Sequence, residues 1–225
     1  MTYVPPIGEQ APGRRLPRVL DATEVRILGS LMEKQLATPE YYPLTLNALV
    51  AACNQKTSRE PVTDLTEEEV DAALQRLQDE KLVWRVMGGR AVRYDHNLDR
   101  VWHLDRKEKA LLTLLFLRGP QTAGELRARS DRLQSFESVA EVEQTLREMA
   151  SHSDPLLAPL PRRPGQKEER WAHLAGGAVA KEEPAAFSGD DTHSREPLSV
   201  RVQRLEERLA ALEMELADLK KTLGE

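Results

Sequence analysis

Thr66-Glu67-Glu68-Glu69-Val70-Asp71-Ala72-Ala73-Leu74-Gln75-Arg76-Leu77, followed by Val83-Trp84-Arg85-Val86-Met87-Gly88-Gly89-Arg90-Ala91-Val92-Arg93-Tyr94, is the stretch that decides the fold. Thr66 and Glu69 have capping-box spacing, in which each side chain satisfies the other's free backbone N–H. Val70, Ala73, Leu74 and Leu77 recur at helical spacing and form one apolar stripe. Two short β-prone runs then flank Gly88-Gly89. Glycine takes positive φ without steric cost, so this pair predicts a hairpin. A helix therefore runs directly into a β-ribbon.

Upstream, Leu46, Leu49, Val50 and Cys53 follow an i, i+3, i+4, i+7 pattern and predict a second amphipathic helix. A polar loop, residues 54–64, joins it to the capped helix. Farther back, Asp21 and Thr23 are candidate N-caps for a helix ending near Leu36, with Val25, Leu28 and Met32 on one face. Residues 1–19 carry Pro5, Pro6, Pro12 and Pro17 with Gly8 and Gly13, and read as an irregular arm.

The same order recurs downstream. Asp105 caps a helix that runs to about Arg118 and is broken by Gly119-Pro120. Thr122 to Glu125 is a second capping box, and Ser138 to Glu141 a third. Val139, Val142, Leu146 and Met149 are the stripe of the helix that the third box opens. Leu156 to Leu160 and Glu169 to Leu174 then flank a basic tip, predicting another hairpin. Three helices and a hairpin, twice, is the winged-helix pattern. The fold class expected is mainly α with small β-hairpins: domain 1 over residues 20–97 and domain 2 over 98–175. A plain three-helix bundle is the alternative for either half; the repeated hairpin weighs against it.

Residues 176–197 lack apolar periodicity and read as a flexible linker. Residues 198–225 then carry Leu198, Val202, Leu205, Leu209, Leu212, Leu216, Leu219 and Leu223 in alternating steps of four and three. That is a heptad seam about 38 Å long, whose leucine stripe needs a partner. In a parallel pair the flanks match Arg201 with Glu206, Arg208 with Glu213 and Glu215 with Lys220, all attractive. An antiparallel pair would set Glu206 against Glu213. The expectation is a parallel coiled-coil homodimer. Leucine at both seam positions also suits a trimer, and a helix folded back onto its own domains is the other alternative.

The 225 residues carry a formal net charge of −5. The balance is +2 over 1–19, −4 over 20–97, +1 over 98–175 and −4 over 176–225. No segment has the strong positive excess common in nucleic-acid-binding domains, so any DNA contact must come from local patches. The N-terminus does not read as a secretory signal, and the longest apolar run, residues 110–117, is too short to span a bilayer. The expected setting is the cytoplasm, with no membrane contact.

The loop Cys53-Asn54-Gln55-Lys56-Thr57-Ser58-Arg59-Glu60-Pro61 has two companions, Arg118-Gly119-Pro120-Gln121-Thr122-Ala123-Gly124-Glu125-Leu126-Arg127 and Leu160-Pro161-Arg162-Arg163-Pro164-Gly165-Gln166-Lys167-Glu168. On these motifs the chain resembles the YceH family of bacterial proteins, also called UPF0502 or DUF480, over roughly residues 18–175. The resemblance implies tandem winged-helix domains and, in at least one member, a dimer. It brings no catalytic or binding residues.

No enzyme motif emerges: there is no P-loop, dinucleotide fingerprint or His-Glu-x-x-His. The chain is expected to be no enzyme and to need no cofactor or metal. Cys53 lies on an apolar stripe and reads as a core residue. Asp95, His96, Asp99 and His103 contain metal-ligating types but sit on a connector without fixed spacing. Candidate nucleic-acid contacts are Arg85, Arg90 and Arg93 on the first hairpin, and Arg162, Arg163, Lys167 and Arg170 on the second. Lys56, Ser58 and Arg59 in the loop could add phosphate contacts. Against this, the third helix opens with Glu67-Glu68-Glu69, which would meet the phosphate field unfavourably. Two function classes stay open: a dimer associated with double-stranded DNA, and an adaptor that docks a protein partner.

Overall fold

A computed structural model describes residues 15–88, 91–162 and 168–177. The chain is mainly helical, with small antiparallel sheets. In the first half, α1 (Ala22–Ala37) leads through a 3₁₀ turn (Pro39–Tyr41) to α2 (Leu46–Cys53) and α3 (Glu67–Asp79). The hairpin of β1 (Val83–Gly88) and β2 (Ala91–His96) follows. A four-residue helix, α4 (Leu98–Val101), forms the connector. The second half has α5 (Arg106–Arg118), β3 (Gln121–Thr122), α6 (Ala123–Ser130), α7 (Val139–Ala150), β4 (Leu157–Leu160) and β5 (Arg170–His173). Among the described residues no helix is long and apolar enough to cross a membrane.

Helix starts follow local chemistry. Asp21, Thr66, Asp105 and Thr122 each accept from the N3 backbone, and Glu24, Glu69, Glu108 and Glu125 return the bond. The expected third box is only half made. Ser138 accepts from the Glu141 backbone N–H, but the Glu141 carboxylate turns to the Glu137 N–H and to Lys107. Val139, expected in the stripe of α7, is exposed, while Val142, Leu146 and Met149 are buried.

β1 and β2 pair from Val83↔His96 to Gly88↔Ala91. A third segment joins each hairpin just before the second helix of its half. Leu44 exchanges backbone hydrogen bonds with Tyr94 (3.2 and 2.7 Å) one residue ahead of the α2 N-cap. Gln121–Thr122 pairs with β5, giving the order β3-β5-β4. Neither segment is long enough to show β periodicity in sequence.

The first helices of the two halves, α1 and α5, pack against each other. α1 is buried on all sides from Glu24 to Met32, and α5 from Lys109 to Leu117. A helix covered all round is one that sits centrally. Gly29 permits the approach: a Cβ there would lie 2.9 Å from both Leu117 Cδ2 and Phe116 Cβ. Phe116 stands edge-on between Trp102 and His173, with ring centroids 6.0 and 4.9 Å away. One continuous apolar core therefore runs through both halves.

Residues 18–20, just ahead of α1, are tied down. Leu20 is buried and its N–H donates to Ala175 (2.8 Å). Arg18 makes a two-pronged contact with Glu24, both bonds 2.8 Å, and Arg76 adds a third at 2.9 Å. Burial alone would raise the Glu24 carboxyl. Arg18, the Asp21 N–H and Arg76 overcome that and hold it at about 2.

Candidate nucleic-acid interface

The predicted contact residues divide by what their side chains already hold. Arg85 on β1 and Arg162 after β4 are exposed, as is Lys56 in the loop before α3. Ser58 is half-buried, with φ of 60°. Arg90, Arg163 and Lys167 lie outside the described residues, as do all eight seam residues from Leu198 to Leu223.

Arg59 is placed differently from the expectation. Its side chain is fully buried. Nε and Nη2 donate to the Ala52 carbonyl at 3.0 and 2.8 Å, and Nη1 and Nη2 reach the two Glu33 oxygens at 3.1 and 2.6 Å. The guanidinium fork matches a carboxylate, and here it closes the end of α2 onto α1. It has no face left for a phosphate.

Arg93 and Arg170 are also committed, and in the same way. Arg93 donates to the Pro43 carbonyl (2.7 Å), and Arg170 to the Pro120 carbonyl (2.5 Å). Each proline stands two residues before a helix N-cap threonine, Thr45 or Thr122. Each arginine follows its proline by fifty residues. The repeat thus contains an arginine strut fixing its hairpin to the segment before its second helix. The signal in sequence is Pro-x-Thr with an arginine at that spacing in both halves, which only the paired geometry makes meaningful. Arg170 also lies 3.3 Å from Glu125.

The helix fronts are acidic and open to solvent. Glu67, Glu68 and Glu69 are exposed on the first turn of α3, where they suit the helix dipole. At the start of α7, Glu141 pairs with Lys107, and Glu143 pairs with Arg147 at 3.1 Å. Val86 is 36% and Met87 83% exposed, so the first hairpin carries apolar side chains beside Arg85.

Of the connector residues of metal-ligating type, Asp95, His96 and Asp99 are engaged elsewhere and His103 is exposed. Asp95 accepts from the Tyr42 hydroxyl (2.6 Å), which itself accepts from the His96 N–H (2.8 Å). His96 Nε2 lies 2.9 Å from Gln35 Oε1, and Lys109 bridges Gln35 and Asp99 at 2.6 and 2.8 Å. Burial pushes His96 down to about 4 and raises the Asp95 carboxyl. Among the described residues no group of three His, Cys, Asp or Glu could hold a metal ion. Cys53 is buried, and burial pushes its thiol up to about 11, suppressing the thiolate a nucleophile needs.

A family model described as "Protein of unknown function, DUF480" matches residues 20–166. A UPF0502 protein of Geobacter sulfurreducens is 47% identical over 202 residues, covering 89% of this chain and 90% of the relative. A UPF0502 protein of Chromobacterium violaceum is 53% identical over 160 residues, covering 70% and 73%. A third, from Methylibium petroleiphilum, is 48% identical over 186 residues, covering 82% and 80%. The chain belongs to the UPF0502 (DUF480) family.

Proposed function

We propose that this chain is a non-enzymatic, dimeric tandem winged-helix protein that associates with double-stranded DNA through the phosphate backbone. One observation carries the reading. Each half follows three helices with a hairpin that gathers a third short segment ahead of its second helix, and each hairpin offers an exposed arginine, Arg85 or Arg162. In winged helices that bind DNA, the third helix faces the major groove and the wing meets the backbone. Here the third helices open with carboxylates, which favours contact from the wings and weak sequence selectivity. The heptad seam would join two chains and present four such modules.

The test is a salt titration of DNA affinity by fluorescence anisotropy. Each phosphate contact contributes about 0.9 to the slope of log affinity against log salt. Reversing Arg85 and Arg162 to Glu together should reduce that slope by about 2 for each chain that engages the duplex. Unchanged affinity and slope would remove the wings from the account. A second reading, a protein-docking adaptor, is favoured by the exposure of Val86 and Met87 and by the acidic helix fronts. Recovery of one stoichiometric protein that survives nuclease, and is lost in Met87→Asp, would favour it.

A further inference from the structure

The C-terminal ends of α1, α5 and α6 and the loop after α2 enclose a cleft of about 330 Å³. Five of the side chains lining it are cations: Lys34, Lys56, Arg118, Arg129 and Arg132. They converge in a chain whose net charge is −5. Among the described residues Glu33 is the one carboxylate in the lining; Arg59 holds both its oxygens, and Lys34 Nζ lies 3.6 Å from it. The bland explanation is that each cation answers a helix C-terminus. Each such end is equivalent to about half a negative charge, so the three ends offset roughly one and a half of the five cations and leave an excess.

The lining is pre-formed. The Glu60 N–H donates to the Leu117 carbonyl (2.8 Å), tying the loop to the end of α5. The Asn54 amide bonds both the N–H and the carbonyl of Leu65, each at 2.8 Å, fixing the loop's base. Arg129 is aimed by Gln121 (2.6 Å). The Arg118 side chain donates no hydrogen bond among the described residues, although it is half-buried. Its burial and the neighbouring Arg129 both act against its charge, an opposition that a bound anion would relieve. Two of the motifs that mark this sequence, at residues 53–61 and 118–127, meet at this cleft.

We infer that the cleft binds a small anion bearing one or two phosphoryl groups, gripped by Arg118, Arg129 and Arg132 with Lys34 and Lys56 at its sides. A phosphoryl group carries close to two charges and three acceptor oxygens, matching cations that arrive from several elements; a lone planar carboxylate matches one fork. The volume lies at the small-ligand end of the usual range, and the place, a junction between two packed halves, is a common one. A duplex spreads its phosphates along a rod, whereas pyrophosphate joins two through one bridging oxygen. The inference therefore stands apart from DNA binding by the wings.

The test is calorimetric titration of the full chain with pyrophosphate, with succinate as the carboxylate control. Pyrophosphate should bind and succinate should bind at least about 10-fold more weakly. Arg132→Ala and Lys56→Ala alter exposed side chains, and Arg118→Ala removes a half-buried one. The Arg118→Ala/Arg132→Ala pair should weaken pyrophosphate at least about 10-fold, while Arg106→Ala, at the far end of α5, should leave it unchanged. If the pair unfolds by circular dichroism, the two exposed single variants must still each weaken binding. Absence of pyrophosphate binding up to about 1 mM, equal affinity for succinate, or equal loss in Arg106→Ala would each overturn the inference. So would loss of affinity for a short DNA duplex that matches the loss for pyrophosphate across these variants.

Discussion

Replacing Gly29 by Ala should destabilise the protein, although the same change in an open helix would stabilise it. Alanine gains about 1 kcal/mol over glycine inside a helix. Here the added Cβ would sit 2.9 Å from Leu117 Cδ2 and from Phe116 Cβ. Saturated carbons prefer about 3.5–4.0 Å, so roughly 0.6 Å must be found. Leu117 is buried and cannot swing away freely, and Phe116 Cβ is anchored to the backbone, so α1 and α5 must separate. Overpacking of this kind costs about 1–3 kcal/mol. The net expectation is a loss of about 1 kcal/mol, or roughly 2–4 °C in Tm for a unit of this size. Gly29→Val, with two more methyl groups and no comparable helix gain, should lose about 3 kcal/mol. Urea denaturation of the full chain, followed by circular dichroism, measures both. In a Leu117→Ala background the cost of Gly29→Ala should shrink by at least about 0.5 kcal/mol. A Gly29→Ala protein more stable than the parent would refute the close packing of the two helices.

Four further outcomes are expected. Glu24→Gln should cost about 3 kcal/mol at neutral pH, because the folded carboxyl is held at about 2 against an ordinary value of 4.5. That contribution is present above about pH 4.5 and is lost as pH falls toward 2, so the urea midpoints of parent and variant should converge in acid. His173 is held down to about 4 by burial, and its buried Nδ1 has no partner among the described residues. The unfolded chain therefore takes up this proton first, and stability should fall as pH drops from about 6.5 to about 4; His173→Phe should flatten that slope. Arg59→Ala should cost about 3–5 kcal/mol in denaturant titrations by stranding Glu33 and the Ala52 carbonyl, whereas loss of DNA affinity at unchanged stability would contradict its structural role. Leu205→Lys with Leu212→Lys should halve the mass seen by sedimentation, and an unchanged mass would discard the seam as the dimer contact.

Helices and hairpins were legible because their signals are local. A capping box spans four residues and an apolar stripe a few turns, so Thr66–Glu69 and Val70–Leu77 announce α3 without any distant partner. The candidate site was less legible. Arg59, Arg93 and Arg170 read as free surface charge, and each is instead held by a group remote in sequence. Nothing near Arg59 marks Glu33 as its partner, and nothing near Arg93 marks the Pro43 carbonyl. The cleft was legible only as two separate motifs, since its five cations come from four segments of chain.

The order of elements, the caps, the two hairpins, and the expectation of a paired heptad helix come from the sequence alone, because 3.6- and 2-residue periodicities and glycine turns are properties of neighbouring residues. Tertiary structure alone decided that α1 and α5 pack through Gly29 into one core, and which arginines are committed. It also decided that Lys56 shares a cleft with Arg118, Arg129 and Arg132. Burial and charge pairing depend on what the chain brings from far away, and no local pattern encodes that.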